Sequence, residues 1–277
     1  MRICTWNVNS ARTRQDRIIA LLERHNIDVL LMQETKCRDE QFPHQRFEEL
    51  GYQIAHFGLN QWNGVAIASR VGLDDVRTQF SNQPGFHKDP EQDQAVEARY
   101  ISALVGSTEK PEQQVRVASV YVPNGREIDD PHYVYKLSFL EQLRLQLAAE
   151  VDETSGTALS VIGGDFNIAP RDEDVWDMAA FEGKTHVTPP EREAFAALQS
   201  TGFQEVTRAH TEGEWTYWDY QKLRFQKREG MRIDFQLASP KLAEKVTGSF
   251  IDREERKGKG ASDHAPVVVD YDVLGDI

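Results

Sequence analysis

Cysteine is scarce. The chain has two, Cys4 and Cys37, in 277 residues, and their spacing matches neither a zinc ligand set nor a redox pair. That excludes a disulfide framework and an iron–sulfur centre; two reduced thiols fit a cytoplasmic protein. No apolar stretch approaches the ~20 residues of a membrane span. Met1 and Arg2 run straight into strand-like sequence rather than a signal peptide. A P-loop, a GxSxG elbow, a GxGxxG turn after a strand and an HExxH pair are all missing. Nucleotide-fuelled, serine-nucleophile, dinucleotide and zinc-protease chemistries are set aside with them. No Pro/Gly/Ser-rich linker or low-complexity block divides the chain, so residues 1–277 read as one large domain. An excess of positive charge is lacking too: the formal net charge is −13. That sign is unusual for a nucleic-acid binder, but it suits a chain that gathers carboxylates around a cation.

What is present is a long series of short apolar segments. Arg2–Val8, Ile27–Glu34, Tyr52–Gly58, Gly64–Ser69, Tyr100–Val105, Val115–Val122, Ala158–Asn167, Arg232–Ser239 and Ala265–Val273 read as strands. Helical spacing marks Arg14–Arg24 and Tyr133–Glu150, with further helical signals at Asp172–Ala180 and Pro190–Gln199. Many strands and few helices predict an α/β fold with two packed sheets covered by helices, not a doubly wound parallel sheet.

Several of these strands end in the same chemistry. Asn7 and Asn9 close the first, Gln33 and Glu34 the second, Tyr121 to Asn124 another, and Asp165 and Asn167 the next. Asp234 opens one strand, and Asp263 and His264 precede the last. Any one such residue is ordinarily a turn former or a helix cap. Recurrence at many strand ends argues instead for one rim. Period two sends Asp165 and Asn167 to one face and Phe166 to the other. Oxygen-rich clusters suit a hard cation such as Mg²⁺, with Glu34, Asp165 and Asp263 as candidate ligands. His264 supplies an imidazole for proton transfer or phosphate stabilisation. Adjacent side chains diverge, so its orienting partner is expected to be a distant carboxylate rather than Asp263.

The stretches "TWNVNSAR", "IDVLLMQETK", "WNGVAIASR", "SVYVPNG", "GGDFNIAPRDEDVWD", "YWDYQ", "GMRIDFQLAS" and "SDHAPVVVD" run in order from Thr5 to Asp270. In this order the chain resembles the exonuclease III-like apurinic/apyrimidinic (AP) endonucleases of the endonuclease/exonuclease/phosphatase superfamily. The resemblance implies a four-layered α/β sandwich: two mixed sheets with helices outside. It implies Mg²⁺ as cofactor, with Mn²⁺ as an alternative. Glu34 would be its principal ligand, and Asn7, Asp165, Asn167, Asp263 and His264 would complete the metal site. Tyr121 would lie near the scissile phosphate, Asp165 and Asn167 would hold or activate water, and Asp234 would orient His264. Arg126 would touch DNA, and Trp218 and Met231 would line the pocket for a baseless sugar.

The implied activity is incision 5′ to an abasic site in double-stranded DNA, leaving a 3′-hydroxyl, together with 3′→5′ exonuclease and 3′-phosphatase or phosphodiesterase activity on 3′-blocked ends, by a protein expected to be monomeric. A lipid or inositol phosphoesterase, a non-specific DNase and a catalytically silent DNA-binding protein are the alternatives. The silent protein would have lost one of Glu34, Asp165, Asn167, Asp234 or His264, and all are present. Basic residues flank the motifs: Lys222, Arg224, Lys227, Arg228 and Arg232, then Arg253, Arg256, Lys257 and Lys259. If they grip a phosphate backbone, DNA affinity falls from low to moderate salt. An affinity that stays flat in a salt titration would contradict that contact.

Overall fold

The computed structural model describes residues 1–89 and 91–273. The first half contributes strands β1 (Arg2–Asn7), β2 (Val29–Gln33), β3 (Gln53–Phe57), β4 (Val65–Ser69), β5 (Asp74–Arg77) and β6 (Tyr100–Val105). The second contributes β7 (Val115–Tyr121), β8 (Ser160–Asp165), β9 (Gln204–Glu205), β10 (Asp234–Ala238), β11 (Val246–Ile251) and β12 (Val267–Tyr271). The main helices are α1 (Ala11–His25), α2 (His44–Glu48), α3 (Pro131–Thr154) and α4 (Pro189–Gln199).

Two six-stranded sheets result, in the orders β11-β12-β1-β2-β4-β3 and β5-β6-β7-β8-β10-β9. They are built alike. Each has a parallel central pair, β1 with β2 and β7 with β8, flanked by antiparallel strands. A helix makes each parallel crossover: α1 in the first sheet, α3 in the second. This is the mixed two-sheet architecture expected from the sequence.

Alternation explains the layers. Ile3, Val29, Leu31 and Ile67 point between the sheets and meet Ile101, Val115, Val117 and Val161. Cys4, Trp6, Leu30 and Met32 point the other way and pack on Ile18, Leu21 and Leu22 of α1. Val120, Ile162 and Phe235 likewise cover Phe139, Leu143 and Phe195 of α3 and α4. No helix among the described residues is long and apolar enough to cross a membrane.

Toward one rim the inward-facing positions turn polar. Gln33 donates to Ser119 across the gap at 2.9 Å and to Thr5 at 3.0 Å, and Ser119 donates to the carbonyl of Met32 at 2.8 Å. These bonds satisfy buried polar groups and fix the spacing of the sheets. The same rim carries the C-terminal ends of both parallel pairs, where Asn7 lies opposite Gln33 and Tyr121 opposite Asp165. Strand C-termini of this kind are where α/β folds build their sites.

Some elements differ from the sequence reading. Asp172–Ala180 is not a helix but two 3-10 turns, Asp172–Asp174 and Met178–Phe181. Between them Val175 bridges to Met231 and Trp176 donates to the carbonyl of Gly230, which holds the segment extended. Strands β5, β9 and β11 carry no strong apolar pattern, because they are short or half-exposed edges.

Gly163 lets the sheets close under the rim. A Cβ there would stand 2.9 Å from Leu31 Cδ1 and 3.2 Å from Thr5 Cβ on the opposite sheet. Gly163→Val is therefore expected to destabilise the fold by about 1–3 kcal/mol through overpacking, read as a lower urea midpoint at unchanged slope.

Candidate active site

Each side chain of the rim arrives from a strand end. Asn7 closes β1, and Glu34 follows β2 in a left-handed turn with φ 53°. Asp165 closes β8, Asp234 opens β10, and His264 lies in the loop before β12. The Asn7 amide donates to Glu34 Oε1 at 2.8 Å and to Asp165 Oδ2 at 3.0 Å, tying carboxylates from opposite sheets together. Lys36 Nζ pairs with Glu34 Oε2 at 2.7 Å.

His264 Nδ1 donates to Asp234 at 2.9 Å, and Nε2 faces Asp165 Oδ2 at 3.7 Å. Asp234 in turn accepts from Thr216 Oγ1 at 2.6 Å. Its distant partner is therefore Asp234, whereas Asp263 diverges and accepts from Asn9 Nδ2 at 3.0 Å. Asn167, also left-handed, donates its backbone N–H to Asp165 Oδ1 at 2.9 Å and its amide to the carbonyl of Val122 at 2.9 Å.

The electrostatics follow from burial and neighbours. Burial works against the His264 imidazolium, but the carboxylates of Asp234 and Asp165 outweigh it and lift its pKa to about 10. Burial raises Asp165 to about 7 against the pull of His264, with Asp234 and Glu34 adding to the rise. Burial also works on Glu34, but Lys36 overcomes it and holds this carboxyl below its usual range. The Tyr121 phenol is pushed well above its usual range, by burial first and then by Glu34, so it stays a neutral donor. Glu34, Asp165 and His264 each offer one ligand atom within 4.8 Å of the others. His264 is tied through Nδ1 to Asp234, and Glu34 and Asp165 supply the hard oxygen donors of the cluster. An all-oxygen pair fits a hard divalent cation.

These groups form the floor of a cleft of about 540 Å³, whose walls include Trp176, Phe181, His186, Tyr217, Arg224, Met231 and Ile233. Met231 is where the resemblance puts a pocket residue. Trp218 is not: it is 1% exposed and packs on Ile251, Ala265 and Val267. Its neighbour Tyr217 takes that place, because the segment is extended, bridged to both Met231 and His264, and alternation turns residue 218 away.

Arg224 lines the cleft, paired with Glu229 at 2.7 Å and stacked over Trp176 at 4.3 Å. Lys222 is exposed on the same loop without lining it. Arg126 lies in an adjoining groove with Trp62, Phe86 and Asn124, stacked over Phe86 at 5.5 Å. Arg232, counted among the flanking basic residues, is 1% exposed and hydrogen-bonds Thr207 and Thr211. It cannot reach a ligand. His186 escaped sequence reading, since nothing near it has a strand-end pattern; its ring hydrogen-bonds Asn167 Oδ1 at 3.1 Å. Lys36 and Tyr217 were legible in principle, each adjoining a quoted motif residue.

Paired carboxylates beside a buried imidazolium, on the shared rim of two stacked sheets, define a phosphoester-hydrolysing enzyme. The chain belongs to the endonuclease/exonuclease/phosphatase family, whose model matches residues 4–264. Among solved structures it is similar to an AP endonuclease from Archaeoglobus fulgidus, 33% identical, covering 99% of this chain and 100% of that one, with a TM-score of 0.86. It is equally similar to a 3′-5′ exonuclease (NExo) from Neisseria meningitidis, 33% identical, covering 98% and 100%, with a TM-score of 0.85. Exodeoxyribonuclease III of Haemophilus influenzae is 28% identical over 284 residues, 98% of this chain and 100% of the relative. The resemblance drawn from the motifs, to exonuclease III-like phosphodiester hydrolases, holds.

The ion pair makes a prediction about proton affinity. His264 is raised from 6.5 to about 10, so its contribution to stability is fully present below pH 6.5 and is lost as pH climbs through about 10. In metal-free protein the ring should stay protonated past neutrality in an NMR titration. Asp234→Asn should bring that midpoint down by at least about one unit; an unmoved midpoint would show that Asp234 is not what charges the ring.

Proposed function

We propose that this protein is a Mg²⁺-dependent DNA-repair nuclease that hydrolyses the phosphodiester 5′ to an abasic site and leaves a 3′-hydroxyl. The observation that carries this reading is the pairing of Glu34 and Asp165 with the His264–Asp234 couple at the base of a ring-lined cleft. Mg²⁺, or Mn²⁺ in its place, would be held by Glu34 and Asp165 and would supply neutralisation of phosphoryl charge and of the departing oxygen. His264, held charged by Asp234, donates Nε2–H to a phosphoryl oxygen. Asp165, beside His264 and Asn7, takes the proton of the attacking water. Asn167 orients that water, and the Tyr121 phenol donates to the phosphate. Water oxygen joins phosphorus as its proton passes to Asp165, the bond to the 3′ oxygen breaks, and that oxygen leaves as an alkoxide that takes a proton from solvent to become the hydroxyl. Tyr217, Met231 and Ile233 offer an apolar wall suited to a sugar without a base. Arg224 on the cleft wall and Arg126 in the adjoining groove would contact flanking phosphates.

A second reading is trimming of 3′ ends without internal incision. It is supported by the likeness to a 3′-5′ exonuclease and by the crowding of the cleft, where Trp176, Phe181 and His186 share the space with Tyr217 and Met231.

Two duplexes distinguish the readings, one with a single abasic site and one with a 3′-phosphate, each incubated with Mg²⁺ and with EDTA. Incision 5′ to the abasic site in Mg²⁺ alone is expected; release of 3′-phosphate without incision would favour the second reading. Hydrolysis of sphingomyelin or inositol phosphates with neither DNA activity would overturn both. Glu34→Ala removes a ligand and no core packing. It should cost about 100-fold or more in kcat, by analogy with loss of a charge-stabilising group, while the melting temperature stays near wild type. Near-normal activity would mean the metal is held elsewhere.

A further inference from the structure

Beneath the catalytic rim lies a buried ion pair that the chemistry above does not use. Lys136 of α3 and Glu191 of α4 are each 0% exposed and touch through Nζ and Oε1. The remaining two protons of the ammonium go to main-chain carbonyls, Asn167 at 2.7 Å and Asn124 at 3.3 Å. Those carbonyls belong to the loops that follow β8 and β7. One loop carries Asn167 and the other carries Asn124, and both side chains line the cleft. Three donors thus meet three acceptors, the full complement of a lysine.

Glu191 is as fully used. It accepts the N–H of His186 at 2.9 Å, the N–H of Thr188 at 3.1 Å and the Thr188 hydroxyl at 2.7 Å. His186 then closes the circuit by hydrogen-bonding Asn167 Oδ1. Asn167 is therefore held at its carbonyl by Lys136 and at its side chain by a residue that Glu191 positions.

Stability alone is a poor reason for such a pair. Taking both charges out of water costs several kcal/mol, and apolar residues of similar volume are often neutral or better. What an apolar pair cannot do is reach out and hold two loop carbonyls. We propose that Lys136, with Glu191 as its counter-ion, is a positioning residue that fixes Asn167 for hydrolysis. The inference rests on the reading of Asn167 as part of a phosphate-hydrolysing site.

The test replaces the pair as a unit, Lys136→Met with Glu191→Leu, because breaking one partner alone strands a buried charge. Lys136→Arg is made in parallel; it keeps the charge but presents a planar fork in place of three rotatable donors. Steady-state kinetics are measured on the abasic and 3′-phosphate duplexes. The expected result for the double replacement is a folded protein with a lower melting temperature, since the two loop carbonyls and the N–H groups of His186 and Thr188 lose their partners, with kcat, measured well below that transition, down about tenfold or more and KM within about threefold. Asn167→Ala supplies a cycle: since Lys136 acts through Asn167, adding the double replacement to Asn167→Ala should cost little more. A folded variant with kcat within about twofold of wild type would overturn the proposal, as would losses that multiply in the cycle. If neither replacement folds, the pair is structural and the proposal is again overturned. Wild type inactive on both duplexes would sink the reading of the Asn167 site itself, whereas active wild type with unimpaired variants sinks only the role of Lys136.

Discussion

The Asn7 amide bridges Glu34 on one sheet and Asp165 on the other, and the site depends on that bridge. Two carboxylates repel, and each loses water when it is buried. They can share a rim only if hydrogen-bond donors and positive charge meet them there. Asn7 supplies the donors, Lys36 steadies Glu34, and the His264 imidazolium faces Asp165. The sheets must also approach closely for the bridge to span them. Gly163 and the Gln33–Ser119 bond provide that approach. Fold and site are thus one constraint seen at two depths of the same interface.

The acidic balance of the chain makes sense in this setting. Glu34, Asp165, Asp234 and Asp263 crowd a small volume, and their summed potential favours a cation and holds a buried histidine charged. Asp165 and His264 both move up in proton affinity, for opposite reasons. Burial makes the carboxylate hold its proton more tightly, whereas neighbouring carboxylates make the imidazole hold its own. The pairing places a carboxyl with a raised proton affinity beside an imidazole held charged. The wall above it is ring-lined, with Trp176, Phe181, Tyr217 and Met231 beside the charged Arg224 and Glu229.

Much of the site was legible because strand ends are legible. Asn7, Glu34, Asp165, Asn167 and His264 each close or adjoin a run of buried residues, but period two assigns a face only to Asn7 and Asp165, because Glu34 and Asn167 sit in left-handed turns and His264 in a loop. Trp218 shows where that logic stops. It stands beside Tyr217 in a segment too irregular for a strand pattern, and only the bridges to Met231 and His264 reveal which of the two faces the cleft. Arg232 was likewise read as a surface cation from its basic neighbours, yet it is buried on threonines that lie about twenty residues upstream in a separate loop. Asp172–Ala180 has helical composition but is drawn extended by pairing with residues 230–231, a contact no local propensity encodes.

Local pattern by itself determined the two-sheet α/β class, the presence of the two long helices and the strand-end residues that gather at the rim. These follow from side-chain periodicity, which is a property of the backbone within each element. Asp234 as the partner of His264 was implied by the motif resemblance and not by local pattern; only the tertiary structure decided that Tyr217 rather than Trp218 faces the cleft and that Lys136 and Glu191 meet under Asn167. Those outcomes depend on how separate elements stack and which loop ends approach, and such distances are set by packing across the sheets rather than along the chain.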